Sequence, residues 1–304
     1  MKPRDILMLL ALAAIWGSSF LFLRIGAPAL GPIVLIEVRV ALATLALFVF
    51  AWVGRHRVRI LHKWWQYLVL GAANAALPFT LIATAELHLD SGLAAILNAT
   101  TPLFTAVVAW AWAKEPLTTG KVLGVVLGIA GVAVLVGGWG SGGASLYAAA
   151  GCSLAAALSY GVAGVFSARA FRGEKPMDMA IGQQFAAALW LLPLSFFALP
   201  AAPPSGLIVA VVLVLAVVCT AAAYLLYFAL IQSVGALRTL IVTFLVPAFA
   251  VLWGAVGLGE PVSVRMLVGL AVILSSVALV VSGSAPRHRA RQDPDQAAPQ
   301  TPVS

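Results

Sequence analysis

The sequence predicts an all-α integral membrane protein, with ten transmembrane helices arranged as two inverted five-helix repeats and both termini in the cytoplasm. Three observations carry this expectation. Hydrophobic residues make up 62% of the 304 positions and charged residues only 9%, whereas a soluble domain carries about 25% charged residues. A surface that apolar must face lipid. The stretch Asn98, Pro102, Glu115-Pro116, Gly124, Gly138 returns at an offset of 145 residues as Thr243, Pro247, Glu260-Pro261, Gly269, Gly283. Lysines and arginines gather in alternate loops, 15 of the 18 in one set, as the positive-inside rule requires of a multi-span chain.

Ten apolar segments fall between polar punctuation: 6–25, 32–53, 65–86, 91–112, 119–138, 145–167, 178–199, 206–230, 237–258 and 264–282. At about 1.5 Å per residue each reaches across a hydrocarbon core about 30 Å thick. The first follows Lys2 and Arg4 in the manner of a signal peptide. No small-x-small cleavage site follows Arg24, however, and nine similar segments come after it, so it is assigned as helix one. Residues 1–140 then form the first repeat and 141–285 the second. The remainder, 286–304, is rich in Arg, Pro and Gln and poor in groups to bury, so it is expected to be a disordered cytoplasmic tail.

Loop charge also tests the sense of the duplication. Helix two is followed by the basic loop 54–64, but its partner, helix seven, is followed by the uncharged run from Pro200 to Ser205. Helix one is followed by no cytoplasmic charge, and its partner, helix six, by Arg169, Arg172 and Lys175. An odd number of helices per half gives the same answer, so the halves are expected to lie in opposite orientations.

Several functions are disfavoured. The net charge of +8 is spread over short loops and makes no nucleic-acid face. Cys152 and Cys219 lie within apolar runs, which indicates neither a disulfide framework nor a metal site. Gly120-Lys121 is followed by Val122 where a Walker-A motif needs Ser or Thr, so ATP is not an expected partner. No catalytic motif is present, and Ser141 lacks the upstream glycine of a nucleophile elbow. No cofactor is expected; the expected partners are the lipid bilayer and a small-molecule substrate.

The early Trp16-Gly17-Ser18-Ser19-Phe20, the run Asn98-Ala99-Thr100-Thr101-Pro102-Leu103-Phe104, the Glu115 after it and the second-half Gly259-Glu260-Pro261 resemble the EamA family of the drug/metabolite transporter superfamily. The resemblance covers residues 5–283 in two copies. It implies a ten-helix transporter, often a bacterial inner-membrane exporter of amino acids, other metabolites or drugs. A non-transporting receptor, an assembly protein or a channel on the same scaffold is the alternative.

A solute site in an inverted repeat is expected at mid-membrane, where interrupted helices expose polar groups to a cavity. Asn98, Thr101, Pro102 and Thr105 follow i, i+3, i+4, i+7 and share one helical face. Pro102 also deprives the Asn98 carbonyl of its helical partner. Thr243 and Pro247 echo this in helix nine. Helix three supplies Asn74 and Pro78, and helix eight supplies Thr220, Tyr224 and Tyr227. Trp16 and Ser19 lie in a stretch of small residues, and Tyr160 aligns with Trp16 at an offset of 144. The expected substrate-binding set is therefore Trp16, Ser19, Asn74, Asn98, Thr101, Tyr160, Tyr224, Tyr227 and Thr243, with Pro78, Pro102 and Pro247 as hinges. Rings with polar tips suit a neutral or zwitterionic amphiphile.

Intramembrane charge is costly, so Glu37 and Arg39 stand out. With Arg24 and Glu86 at helix ends they are assigned to ion pairing or a gate. Proton coupling or carboxylate binding by Glu37 or Arg39 is the other reading. Gln183 aligns with Arg39 in the second half. Of the tryptophans, Trp52, Trp64, Trp65, Trp110, Trp112, Trp139 and Trp253 fall near segment ends as interface anchors. The glycines of helix five and Gly269 of helix ten predict close helix contact and a scaffold role. Glu115-Pro116 and Glu260-Pro261 are expected to start helices five and ten.

Overall fold

A computed structural model describes residues 1–137 and 143–282. The expectations for Gly138, Trp139, Ser141, Gly283 and the tail fall outside these residues. All regular structure among the described residues is helical. The principal helices are α1 (Pro3–Leu30), α2 (Pro32–Val53), α3 (Leu61–Ala85), α4 (Ser91–Ala111), α5 (Thr119–Val136), α6 (Ala144–Ala170), α7 (Pro176–Ser195), α8 (Gly206–Val234), α9 (Val242–Leu258) and α10 (Val264–Ser282). Eight are long and apolar enough to cross a membrane, and α9 is a shorter apolar helix. The remaining helix, α7, spans 20 residues, and Asp178, Gln183 and Gln184 dilute its apolar character.

Large apolar side chains point outward throughout, among them Leu45, Val126, Ile129, Leu192, Phe197, Leu207 and Val256. That is the arrangement of a bundle solvated by lipid, where apolar atoms outside cost nothing. Trp52, Trp64, Trp65, Trp110 and Trp112 are exposed. Trp253 is part-buried and donates Nε1 to the Ala14 carbonyl at 3.0 Å.

The helix pairings repeat when five is added to each helix number, with α6–α10 running on into α1–α5. Helix α1 packs on α9 and α6 on α4; α2 packs on α8 and α7 on α3; α2 meets α7, and α5 meets α10. The α5–α10 contact is close because glycine permits it. A Cβ on Gly124 would lie 2.7 Å from the Ser276 carbonyl, and one on Gly131 2.8 Å from Ile273 Cγ1. These helices are zipped along their small-residue faces.

Helices α3 and α8 are each interrupted by a π-helical segment, Ala72–Ala76 in one and Val214–Ala222 in the other. A π turn widens the helix by one residue and leaves ladder groups open to side-chain bonding, a feature that gathers at functional sites. In α8, Thr220 Oγ1 donates to the Leu215 carbonyl five residues back, at 2.8 Å. In α3, Pro78 follows the π turn and removes the hydrogen bond that the Asn74 carbonyl would otherwise accept.

Two ends of the bundle can be told apart by their polar contacts. At one, Lys63 Nζ pairs with Glu174 Oε1 at 2.9 Å, His56 with Asp178 at 2.8 Å, and Ser233 Oγ donates to Asp5 Oδ1 at 2.6 Å. This end holds the basic 54–63 loop, and hydrogen bonds from Lys63 and then His62 hold the Glu174 carboxyl below the usual carboxylate range. At the opposite end Arg24 donates to the Glu86 carbonyl, and Arg265 Nε to the Val134 carbonyl at 2.6 Å.

Candidate functional site

Arg39 projects from the middle of α2 into the bundle and is 4% exposed. Its Nε donates to Thr220 Oγ1 in the π segment of α8 at 3.0 Å, and its Nη2 to Ser19 Oγ of α1 at 3.3 Å. The guanidinium carbon lies 4.2 Å from the centroid of the Phe79 ring of α3, a cation–π arrangement. Phe79 in turn meets Tyr160 of α6 edge-on at 6.4 Å. Tyr160, Tyr224 and Cys219 lie within electrostatic reach of the guanidinium. Five helices thus converge on one cation.

The second half repeats the arrangement without the charge. Gln183, in the middle of α7, accepts a hydrogen bond at 2.7 Å from Asn74 Nδ2, which lies in the π segment of α3. So α2 reaches the π turn of α8 and α7 reaches the π turn of α3. Sequence reasoning aligned Arg39 with Gln183 and named Asn74, but it did not join either pair. Ser18, whose hydroxyl lies 3.6 Å from Cys219 Sγ, Phe79, and the partner role of Thr220 were also missed. A π turn has no sequence signature, and without it the facing of Thr220 toward Arg39 does not follow from a 3.6-residue period.

Trp16 and Tyr227 form an aromatic pair at 5.4 Å, and Tyr227 and Tyr224 each pack on Phe228 at 5.8 and 5.9 Å. Trp16, Asn74, Asn98, Thr101, Tyr160, Tyr224, Tyr227 and Thr243 are all half-buried, although their helices run through the middle of the bundle. Ser19 is buried.

The α4 stripe behaves differently from its expected free state. The helix breaks at Ala99–Thr100, just before Pro102, and Thr101 Oγ1 donates to the Asn98 carbonyl at 2.8 Å. The carbonyl that Pro102 releases is therefore taken up locally. Thr105 Oγ1 bonds the Thr101 carbonyl at 2.9 Å and Thr243 Oγ1 the Leu240 carbonyl at 2.7 Å, so these hydroxyls serve their own helices. Asn98 Nδ2 is the exception: it is buried and finds no protein acceptor.

Of the expected gate residues, Arg24 binds the backbone of Glu86, while both Glu86 carboxylate oxygens and Glu37 Oε2 are buried without a hydrogen-bond partner. Among the described residues none of Arg24, Glu37, Arg39 and Glu86 lies in an ion pair within 4 Å.

The repeated glutamates part company. Glu260 does not start its own helix; Ser263 Oγ accepts from the Met266 N–H of α10 at 3.1 Å instead. Glu260 crosses to the first half, where Oε1 accepts from the Ser91 N–H at 2.9 Å and Oε2 from Ser91 Oγ at 2.7 Å. It accepts from the free Ser91 N–H at the start of α4, where a carboxylate also complements the helix dipole. Around this cap α4 and α9 nearly touch: a Cβ on Gly92 would lie 3.1 Å from Val251 Cα, and one on Gly254 would clash with Ser91 Oγ and Glu260. Glu115, 145 residues earlier, makes no such crossing. It pairs with Lys121 of its own helix start at 3.6 Å, and α5 is capped by Thr118, whose side chain accepts from the Lys121 N–H. The first half of α4, Ser91–Asn98, packs along α9 as well as meeting α6 and α10, whereas the second half, Thr101–Ala111, packs on α6 and α10.

Comparison with known proteins places this geometry. The model of the EamA-like transporter family matches twice, over residues 4–137 and 148–282. The chain is 27% identical over 286 residues to the uncharacterized transporter YvbV of Bacillus subtilis, covering 92% of each chain. It is 29% identical to the uncharacterized inner membrane transporter YedA of Escherichia coli, with 90% of each covered. A probable terminal-alkyne amino-acid exporter of Streptantibioticus cattleyicolor is 26% identical over 92% of this chain and 94% of its own. Among the solved structures that match in fold, one has a TM-score of 0.64 at 17% identity over 92% of this chain and 96% of that one.

Proposed function

The chain belongs to the EamA-like transporter family, and from that premise we propose that it is a secondary transporter that exports small metabolites, such as neutral or aromatic amino acids, by alternating access around a mid-membrane cavity. One observation carries the mechanism. Helices α4 and α9 are fastened at one end by Glu260 on Ser91, while the repeat-equivalent Glu115 stays with Lys121. A pair of like helices closed at one end only supports a carrier seen in one of its two access states.

Loop charge supports an orientation. Lysines and arginines crowd the end where residues 54–63 meet Glu174 and Asp178, which under the positive-inside rule supports a cytoplasmic position for that end and for both termini. The fastened end then faces out, and the cavity opens inward, ready to load an exported solute. Inverted repeats explain why the two ends can exchange roles, since each half presents to one side what the other presents to the opposite side. Asn98, with an amide N–H lacking a protein acceptor, and the half-buried Trp16, Tyr160, Tyr224 and Tyr227 supply polar and aromatic lining. The relative named as a probable amino-acid exporter supports the substrate class.

Accelerated counterflow in proteoliposomes tests this reading. Labelled phenylalanine or leucine should enter vesicles preloaded with the same amino acid faster than empty ones, and the rate should saturate. A non-saturating rate would indicate a channel. No movement of any solute would favour a receptor or an assembly role.

A further inference from the structure

We propose that Arg39 is the docking point for a carboxylate of the transported solute, which makes the substrate class a monocarboxylate, zwitterionic amino acids included. This rests on the transporter reading above and narrows it. Arg39 is buried, yet among the described residues its hydrogen-bond and ring partners are neutral: Ser19 from α1, Phe79 from α3 and Thr220 from α8. Tyr160 of α6 and Cys219 and Tyr224 of α8 approach it as well, and all carry hydrogens at neutral pH. Glu86 acts on it only through space, from beyond ion-pair distance.

A guanidinium has five N–H donors in a rigid fork. Two are used here, one on Nε and one on Nη2, and the ring of Phe79 covers one face. Those contacts fix the plane of the fork without supplying a counter-charge. Removing a cation from water without an anion costs several kcal/mol, a cost that an arriving carboxylate offsets through two parallel N–H···O bonds. Charge balance selects the anion. One cation matches one negative charge, whereas a phosphate dianion would leave a buried charge over and a neutral sugar would leave the guanidinium unmatched. The equivalent position in the other half is the uncharged Gln183, so the site is charged at one pole only. That asymmetry suits a solute with one acidic end and an apolar or aromatic remainder, which the rings of Tyr160 and Tyr224 would contact. A zwitterion's ammonium would find those ring faces as well.

The test compares acids with their amides on the full chain in lipid nanodiscs and proteoliposomes. L-Phenylalanine and L-leucine should raise the melting temperature and exchange across the membrane. Their carboxamides, equal in shape but lacking the anion, should bind at least about tenfold more weakly, as loss of a charge-assisted pair implies. The Arg39→Gln variant, if it elutes as the folded protein, should lose that same factor for the acids and none for the amides. Should that variant not fold, the acid-to-amide ratio in the unaltered chain decides alone. Equal binding and flux of acid and amide would overturn the carboxylate dock while leaving the carrier intact. Flux of neither would instead remove the transporter reading on which the dock depends.

Discussion

Arg39 and Gln183 stand at matching places in the two halves, and each reaches from mid-helix to the π-helical segment of a helix in the other half: Arg39 Nε to Thr220 at 3.0 Å, and Gln183 Oε1 from Asn74 at 2.7 Å. These are polar cross-braces between the two halves. Interhelical hydrogen bonds in membranes contribute about 0.6 kcal/mol on average and up to about 1.7. Removing one partner alone leaves a buried acceptor bare, which costs about 1–3 kcal/mol. Asn74→Ala should therefore lower the melting temperature more than Asn74→Ala combined with Gln183→Ala does relative to Gln183→Ala alone. A double-mutant cycle on thermal unfolding reads the coupling, and a coupling near zero would mean that the brace is idle.

The fastened end can be unlocked without touching Arg39 or its partners. Ser91→Ala removes the hydroxyl that donates to Glu260 at 2.7 Å, and the sequence already places Ala236 at the repeat-equivalent position. Cysteine introduced at exposed Leu267 is unrelated to the cap and serves as a reference; one at Asp90 should react faster with a membrane-impermeant thiol reagent in the Ser91→Ala background. Unchanged reactivity at Asp90 would show that Glu260 does not hold that end shut.

Glycine sets the closest helix approaches. On Gly71 a Cβ would lie 2.7 Å from the Gln183 carbonyl and 2.8 Å from the Ala187 nitrogen, so α3 and α7 must separate to accept it. Overpacking of this kind costs about 1–3 kcal/mol. Gly71→Ala should lower the melting temperature, whereas Gly151→Ala, with nothing near its added carbon, should not. Equal effects would argue against close packing as the reason for Gly71.

Glu174 links the loop after α6 to the start of α3 through Lys63 and His62. Its carboxyl is held below the usual range by those bonds, so its contribution is complete above the ordinary carboxylate pKa and is lost as the pH falls through the lowered folded value. Surface pairs contribute about 0–1 kcal/mol. The difference in melting temperature between the unaltered chain and Glu174→Gln should thus be small at pH 7 and vanish once the pH falls below the lowered folded value. A difference that persists in acid would assign it to packing.

Much of this was legible in the sequence, for reasons that are local. Composition and loop charge show a membrane chain, and the 145-residue repetition reveals two like halves, because both depend only on residue identity and spacing. Arg39 stood out because a charge in lipid is costly wherever it points. What sequence could not supply was the partner across the bundle. The expected stripe of Asn98, Thr101 and Thr105 is split by the helix break at Ala99–Thr100, and the hydroxyls of Thr101 and Thr105 close onto their own backbone. Glu260, expected to start its own helix, caps α4 in the other half. Contacts between residues 169 positions apart depend on how helices are rotated and packed, and the π turns that carry Asn74 and Thr220 leave no pattern to count.

Alternating access is tested most directly by holding the fastened end shut. In a chain whose Cys152 and Cys219 are replaced by alanine, Ser91→Cys and Glu260→Cys can be joined by a short bis-methanethiosulfonate reagent. Counterflow of an amino acid should stop on cross-linking and return on reduction, while each single cysteine variant treated alike keeps transporting. Undiminished flux through the cross-linked protein would contradict the account, since a carrier that must open that end cannot work with it locked.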